Sequence, residues 1–365
     1  MSPVIHRRTA TSLVVALMLA ALIPATAMAA TRPTTFSLSL GDTCVAGRAS
    51  DNAAVKLVWR RANGNLVAKT TVTASVAGNW SFCSSAKVTK VGDRIQATVA
   101  GTTHTVVIPL LTFKVDRAND VYRGKARAGS RLLLWYHAGI FADYYASATF
   151  RARADGTFSY KPYSDYELDG GIEADLRWRN AAGDHVWLHD LAPYFRVTIG
   201  RPSFSGGTRP FSRVEISVRD SSTMALKATG KAIAGEFAFS GQFKDVGGNR
   251  VSLAVGDRLI APSIASDADW VVPNIQGSAN VATEVVSGTC ADGSQFVGVE
   301  IKIVRSGVTR GYALGDVEPD GSFEVSFTGR PAPWYEPANI KHGDRITVSC
   351  RHATGDWAGL KFIVP

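Results

Sequence analysis

The sequence has 365 residues, of which 45% are hydrophobic, and it carries a formal net charge of +9 at pH 7. This hydrophobic fraction excludes an intrinsically disordered chain, and the length predicts at least two domains. The sequence contains 34 Gly and 15 Pro but only 4 Cys and 7 His. Such a composition predicts many turns and argues against a protein rich in bound metal.

The N-terminal segment has the pattern of a secretory signal. Arg7 and Arg8 precede an apolar run over residues 13–24, which is followed by the small residues Ala27-Met28-Ala29. A charged region, an apolar region and an A-x-A site in this order predict a signal peptide at residues 1–29. The apolar run is shorter than the roughly 20 residues that a transmembrane helix needs. We therefore predict an exported, extracellular or envelope-associated protein without a transmembrane anchor.

A motif of a glycine followed by an alternating, mostly aromatic strand recurs four times. Its glycines are separated by 78, 79 and 86 residues, a near-constant period that indicates an internal repeat. The copies are Gly78-Asn79-Trp80-Ser81-Phe82, Gly156-Thr157-Phe158-Ser159-Tyr160, Gly235-Glu236-Phe237-Ala238-Phe239 and Gly321-Ser322-Phe323-Glu324-Val325.

Two further landmarks keep the same phase. A predicted strand starts 22 to 25 residues before each of these glycines. The four strands start at Val55, Arg131, Arg213 and Val299. A later Gly-Asp-Arg motif starts at Gly92, Gly256 and Gly343, and the second copy has only a degenerate Gly170-Gly171-Ile172.

The repeated segments have the periodicity of β-strands. In the segment 214–219 apolar and polar residues alternate, which places one side in a core and the other in solvent. Short strands separated by turn residues are typical of antiparallel β-sandwiches. We predict an all-β chain of four modules, at residues 30–109, 110–195, 196–273 and 274–365.

With an apolar strand, a glycine-aromatic strand and a Gly-Asp strand in most copies, the modules resemble the bacterial immunoglobulin-like repeats of secreted and cell-surface proteins. The resemblance covers nearly all of the mature chain and implies tandem immunoglobulin-like β-sandwich modules. Such repeats serve as spacers, adhesive modules or appendages of exoenzymes, and the resemblance implies no active site. One departure concerns Cys44 and Trp59, because the next cysteine, Cys83, follows too early for the antibody-type disulfide.

Export favours pairing of the four cysteines, and four cysteines allow three pairings. Cys44 and Cys83 lie in the first predicted module, whereas Cys290 and Cys350 lie in the last. We predict one disulfide within each of these modules. Each contributes about 4 kcal/mol on loop-entropy grounds.

Two segments are considered as metal sites. His185 and His189 are four residues apart, a spacing that leaves both imidazoles on one side of a strand, but no third ligand stands at a fixed spacing. The acidic stretch 165–175 surrounds two glycines with carboxylates, as calcium loops do, without matching their spacing. An exposed strand and a solvated turn explain the two segments more simply. We predict no bound metal and no cofactor.

Catalytic motifs give no support for an enzyme. The sequence has no G-x-S-x-G elbow, no H-E-x-x-H pair and no phosphate-binding glycine loop. The acidic residues of the stretch 165–175 are too common in loops to indicate a glycosidase pair. We therefore predict no catalytic residues.

The second module is unusually aromatic, with eight of the ten tyrosines. If the segment that contains Tyr144 and Tyr145 is extended, their side chains point to opposite faces, so at least one is exposed. Exposed aromatic side chains stack on sugars or anchor protein partners. The predicted ligand-binding residues are Trp135, Tyr144, Tyr145, Tyr163 and Tyr166. The alternative is that these tyrosines are cross-strand packing pairs.

Two functions remain. The first is a non-catalytic interaction or spacer protein of the bacterial cell envelope or extracellular space. The alternative is a carbohydrate-binding or accessory protein that uses the aromatic residues of the second module. The expected partner is an envelope polysaccharide or a surface protein. The first module is the most basic of the four, and its charge would attract anionic polymers of the envelope. The alternative is that these charges only keep the protein soluble. Nucleic acid is not expected, since the basic residues are dispersed.

Overall fold

The computed structural model describes residues 32–85, 87–137, 145–163, 168–290, 295–328 and 339–365. The predicted signal peptide lies outside them. The described residues form 28 β-strands and one short 3-10 helix, Arg117–Asn119. No helix in this part of the chain is long and apolar enough to cross a membrane.

The strands fall into four consecutive sets of seven. The first set is β1 Thr35–Ser39, β2 Cys44–Arg48, β3 Ala54–Arg60, β4 Leu66–Thr73, β5 Asn79–Cys83, β6 Arg94–Val99 and β7 Thr102–Val107. The second is β8 Leu111–Asp116, β9 Val121–Ala126, β10 Arg131–His137, β11 Tyr145–Arg151, β12 Thr157–Tyr160, β13 Glu173–Arg179 and β14 His185–Leu191.

The other two sets follow the same order. The third is β15 Tyr194–Thr198, β16 Ser203–Gly207, β17 Arg213–Asp220, β18 Leu226–Ile233, β19 Ala238–Lys244, β20 Asp257–Ile260 and β21 Asp269–Val271. The fourth is β22 Ile275–Asn280, β23 Val285–Cys290, β24 Phe296–Arg305, β25 Val308–Asp316, β26 Ser322–Ser326, β27 Arg345–His352 and β28 Trp357–Ile363.

Each set repeats one topology. Its first, second and fifth strands form one layer, and its fourth, third, sixth and seventh strands form the other, in these orders. In the third set β18 also pairs with β19, which joins the two layers along one edge. Strand pairs inside a set are antiparallel, and alternate residues of the strands are buried between the layers, as in β17. This is an immunoglobulin-like sandwich in which the fourth strand joins the sheet of the third. The prediction of an all-β chain of tandem immunoglobulin-like sandwiches is confirmed.

The sets are joined in pairs, which the tandem pattern did not predict. β1 runs parallel to β14, with Ser37 opposite His185, and β15 runs parallel to β28, with Arg196 opposite Trp357. The first and second sets therefore share a seven-stranded sheet, ordered β11-β10-β13-β14-β1-β2-β5. One buried hydrophobic cluster extends over the first two sets and another over the last two.

A buried carboxylate lies at each parallel pair. The backbone N–H of Phe36 donates to Asp184 at 2.9 Å, and that of Phe195 donates to Asp356 at 2.9 Å. Both aspartates are fully buried. Because a buried charge is costly without partners, each also has a second set of donors. His104 Nε2 lies 2.8 Å from Asp184, and Arg117 donates to both oxygens of Asp356.

Arg117 also connects the two pairs of sets. It comes from the 3-10 helix of the second set, and its guanidinium contacts Asp356 of the fourth set and Asp267, which precedes β21 of the third. It donates to the carbonyl of Pro193 as well. Burial lowers the pKa of Arg117, but the two carboxylates outweigh this effect and raise it, so the side chain stays charged. A second ion pair, between Asp169 and Arg351, links the second and fourth sets.

A glycine in the second strand of every set lies against an aromatic ring of the fifth strand. A Cβ at any of the four glycines would come within 2.0 to 2.2 Å of a carbonyl oxygen on the adjacent strand and collide with the ring. The pairs are Gly47 with Trp80, Gly124 with Phe158, Gly206 with Phe239, and Gly288 with Phe323. These glycines are a fourth landmark of the repeat that the sequence analysis missed.

The third copy of the glycine-aromatic motif was aligned wrongly. The ring that packs on Gly206 belongs to Phe239 and not to Phe237. Phe237 occupies the position of Gly78, since its carbonyl accepts from Thr208 as that of Gly78 accepts from Ala49. Gly235 instead begins the turn, because its N–H donates to the carbonyl of Ala238 as that of Ser75 donates to the carbonyl of Asn79.

The disulfides join Cys44 with Cys83 and Cys290 with Cys350, the two pairs expected from the sequence. They are not equivalent, however. Cys44 and Cys83 face each other on the adjacent strands β2 and β5 of one sheet. Cys290 on β23 and Cys350 on β27 join the two sheets, at the second and sixth strands. The antibody-type arrangement is therefore found in the fourth set.

We predict that Gly206→Ala lowers the free energy of unfolding by about 1–3 kcal/mol, because the added methyl group overpacks the strand against Tyr194 and Phe239. Gly235→Ala is the matched control, since a Cβ there is 3.7 Å from its nearest neighbour. Chemical denaturation of both variants tests this. Equal stability of the two would show that the glycine is not required.

We predict that Cys290→Ser with Cys350→Ser lowers the denaturation midpoint of the unit that contains the third and fourth sets, at a cost of about 4 kcal/mol, because the disulfide closes a loop of 60 residues. Denaturation with and without reductant measures this cost. A wild-type midpoint that reductant leaves unchanged would contradict it.

Candidate interaction surface

The outward side of the four-stranded layer of the second set carries aromatic and basic side chains. Inward residues of β10, β13 and β14, such as Leu134, Leu176 and Val186, are fully buried. The residues that alternate with them point outward and are half-buried or exposed. We call the following residues the aromatic-basic face: Arg131, Trp135, Tyr145, Arg151, Arg177, Arg179, His185, Trp187 and His189.

Arg177 lies at the centre of this face. Its guanidinium carbon is 4.6 Å from the ring centroid of Trp135 and 4.8 Å from that of Trp187. The two indole rings are 5.0 Å apart, and His185 meets Trp187 edge-on. Cation–π contacts on two rings fix the guanidinium. Within the described residues, no carboxylate or other acceptor bonds it, and burial, followed by the charge of Arg179, lowers its pKa.

One row of the face crosses the whole seven-stranded sheet. Arg151 lies opposite Arg131, the register places Arg131 opposite Arg179, and Arg179 lies opposite His185. Across the parallel pair the row continues to Ser37, Ala46 and Ser81.

This end of the row lies in a groove of about 700 Å³. Small and polar side chains line it, among them Thr35, Ser37, Ser81 and His185. The groove and the aromatic-basic face therefore form one surface, which exists only because β1 pairs with β14.

Among the described residues, the acidic side chains of this face, Glu173 and Asp175, lie at the end away from the row of arginines. Asp175 lies 2.9 Å from Nδ1 of His189. Tyr145 is 58% exposed, and the centroid of its ring lies 4.1 Å from that of His137, with the two rings tilted to each other. Burial, followed by the charges of Glu173 and Asp175, raises the pKa of Tyr145. The face thus has negative charges on one side of Arg177 and the cations Arg131, Arg151 and Arg179 on the other.

The structure describes three of the five predicted ligand-binding residues and does not bring all three together. Trp135 and Tyr145 share the aromatic-basic face, whereas Tyr163 is exposed after β12 in the other sheet. Tyr144 and Tyr166 lie outside the described residues. Sequence reasoning missed Arg177 and the role of Trp187, although the alternation of basic and aromatic residues along β13 and β14 was a usable signal.

Other tyrosines of the second set follow the packing alternative. Tyr122 is fully buried, and its ring lies 5.4 Å from that of Tyr136. Tyr160 stacks on Phe150 at 5.4 Å.

The two histidines do not form a chelating pair. Both are on β14, where four residues of strand separate them by about 13 Å. The described acidic residues near the turn also have structural partners, since Asp169 pairs with Arg351 and Asp175 with His189. No group of three metal-binding side chains occurs among the described residues.

The other sets show that the fold does not require this face. The sets can be compared by counting residues from the equivalent glycines Gly92, Gly171 and Gly343. The first and fourth sets have mostly small or polar residues at the positions of Arg177, Trp187 and Trp135. Arg177, Trp187 and Trp135 correspond to Thr98, Thr103 and Val58 in the first set and to Ser349, Gly359 and Lys302 in the fourth.

No family model and no curated protein matches the sequence. Among solved structures, the chain is similar to a tetra-tandem repeat in the extending region of a large adhesion protein, with 16% identity, a TM-score of 0.18, and coverage of 91% of this chain and 99% of that one. It is similar to the FN1–FN3 domains of chicken CNTN1, with 8% identity, a TM-score of 0.20, and 91% and 99% coverage. A third is a 1.5-MDa bacterial ice-binding adhesin, with 11% identity, a TM-score of 0.16, and 91% and 96% coverage. The immunoglobulin-like fold is assigned from the strand order described above.

We predict that Asp175→Asn lowers the pKa of His189. The hydrogen bond to Asp175 raises this pKa from its ordinary value of 6.5, against the effect of burial. The pair therefore stabilises the fold fully below pH 6.5, and this contribution is lost as pH rises through the folded-state pKa. NMR titration of the imidazole measures the shift, with Asp155→Asn as a control. An unchanged titration in Asp175→Asn would contradict the assignment.

Proposed function

We propose that the chain is an exported, non-catalytic interaction or spacer protein of the bacterial cell envelope or extracellular space. The observation that carries this proposal is the joining of successive sandwiches by strand pairing and buried ion pairs. Parallel pairs of strands fuse the sets two by two, and Arg117 connects the pairs. Such contacts hold the modules in fixed positions, as a spacer that presents a surface requires.

The buried carboxylates support a structural and not a catalytic role. Asp93 accepts from Trp59 and Arg61, and Asp344 accepts from Arg305. Asp184 and Asp356 accept at the parallel pairs. Each of these acids is bound to donors that position a strand or a turn.

Two intramodule disulfides are consistent with an oxidising compartment, because structural disulfides persist in exported proteins. Export by the predicted signal peptide belongs to the same proposal.

A second candidate is a carbohydrate-binding or accessory protein. The half-buried indoles of Trp135 and Trp187 and the exposed Tyr145 favour it, since aromatic side chains on an open surface are suited to sugars. In this case the partner is an envelope polysaccharide and not a surface protein.

We predict that the mature chain sediments with isolated envelopes of the native host, and that Tyr145→Ala weakens this association while Phe211→Ala does not. Phe211 is the matched control because it is an exposed aromatic residue of the third set, at 73% against 58% for Tyr145. Recovery of all the protein in the supernatant would contradict an interaction with the envelope. Equal loss in both variants would contradict the location of the contact surface.

A further inference from the structure

We propose that the aromatic-basic face binds an acidic polysaccharide through carboxylates carried on its sugar rings. This inference rests on the proposed interaction function and names the chemical class of the partner.

The guanidinium of Arg177 has no described hydrogen-bond acceptor. A guanidinium that lies against two neighbouring indole rings keeps N–H groups at its edge available, and these groups match the two oxygens of a carboxylate. The described residues provide no acceptor for them. A fixed, half-buried cation without a counter-charge is costly for the free protein and is stabilised by an anion.

The junction of the third and fourth sets contains another arginine–indole contact, in which the arginine has a carboxylate partner. Arg196 lies 4.5 Å over the ring of Trp357, at the other parallel strand pair. Its guanidinium is bound to Glu300 at 2.9 and 3.1 Å, and Tyr312 also donates to Glu300. At this junction Glu300 thus occupies the edge of the guanidinium that is left open at Arg177.

Further cations lie in a row beside Arg177. Arg151, Arg131 and Arg179 lie on three adjacent strands, spaced by about 4.8 Å, and Arg177 is two residues along β13 from Arg179. Among them, only Arg151 has a described hydrogen bond, to the carbonyl of Gly129. A polymer with one acid per repeating unit can contact several of these cations at once, which raises its affinity above that of the single acid.

The contact of Arg177 with the indole rings limits where the acid can lie on the ligand. Because Arg177 lies directly on the indoles, an acid that reaches it is attached to a ring that lies over the same aromatic surface. Uronic acids have this geometry. The row then continues into the groove lined by Ser37 and Ser81, whose hydroxyls suit the sugar hydroxyls of an extended chain.

The test is titration calorimetry of the mature chain with polygalacturonate, with uncharged dextran and with polyphosphate, at low and at raised ionic strength. We expect binding to polygalacturonate that weakens with salt, and little binding to the other two polymers. Arg177→Gln is expected to weaken the binding about tenfold, as the loss of a bidentate charge-assisted contact does. Arg131→Gln with Arg179→Gln is expected to weaken it further and to flatten its salt dependence.

Arg213→Gln is the matched control, because Arg213 occupies the position of Arg131 in the third set, where it begins β17. It should bind like the wild type. Circular dichroism of each variant verifies that it is folded. Equal binding by wild type and Arg177→Gln, or equal loss in Arg213→Gln, overturns the assignment to this face.

Stronger binding to polyphosphate or to dextran overturns the chemical class. If the chain associates with host envelopes but not with polygalacturonate, this inference fails and the proposed function stands. If it associates with neither, both fail.

Discussion

Two buried aspartates determine how the sandwiches are assembled. At the parallel strand pairs, the backbone N–H of the second residue of β1, Phe36, donates to Asp184, and that of the second residue of β15, Phe195, donates to Asp356. A carboxylate in this position needs a further donor, and removal of one partner from a buried ion pair costs about 3–5 kcal/mol. Arg117 supplies that donor to Asp356 from a different set, so the requirement of one buried charge joins the two halves of the chain.

The same arrangement explains where the protein has a free surface. A shared sheet extends the outward face of the second set across β1, β2 and β5, so that an aromatic and basic area continues into a groove. The third and fourth sets use the equivalent junction differently, because Arg196 is paired there with Glu300. Arg196 therefore has a carboxylate partner at its junction, whereas no described residue accepts a hydrogen bond from Arg177.

The repeat and the strand character followed from the sequence because alternation and glycine turns are local properties. Gly92, Gly256 and Gly343 all adopt positive φ at the same turn, which makes their motif visible. The pairing of β1 with β14 was not predictable, since it depends on residues far apart in the chain and on a buried aspartate that resembles any loop acid. The misplaced aromatic strand of the third set has another cause. Gly235 begins the turn there and does not occupy the position of Gly78, so the ring lies two residues later, at Phe239 instead of Phe237.

For the candidate site, the aromatic composition of the second module indicated the part of the chain that carries the aromatic-basic face. It could not distinguish core tyrosines such as Tyr122 from surface residues, because both are aromatic and occur on alternating strands. Arg177 was overlooked because an isolated arginine on a strand is ordinary. Its significance arises from Trp135 on one adjacent strand and Trp187 on the other.

Hydrogen exchange of the backbone amides tests the assembly most directly. If β1 and β15 are locked to β14 and β28 through buried aspartates, the amides of Phe36 and Phe195 exchange as slowly as those in the interior strands β3 and β24. Exchange of these two amides as fast as in the edge strands β11 and β25, with the sandwiches otherwise protected, would contradict the account and leave the four sandwiches joined only by their linkers.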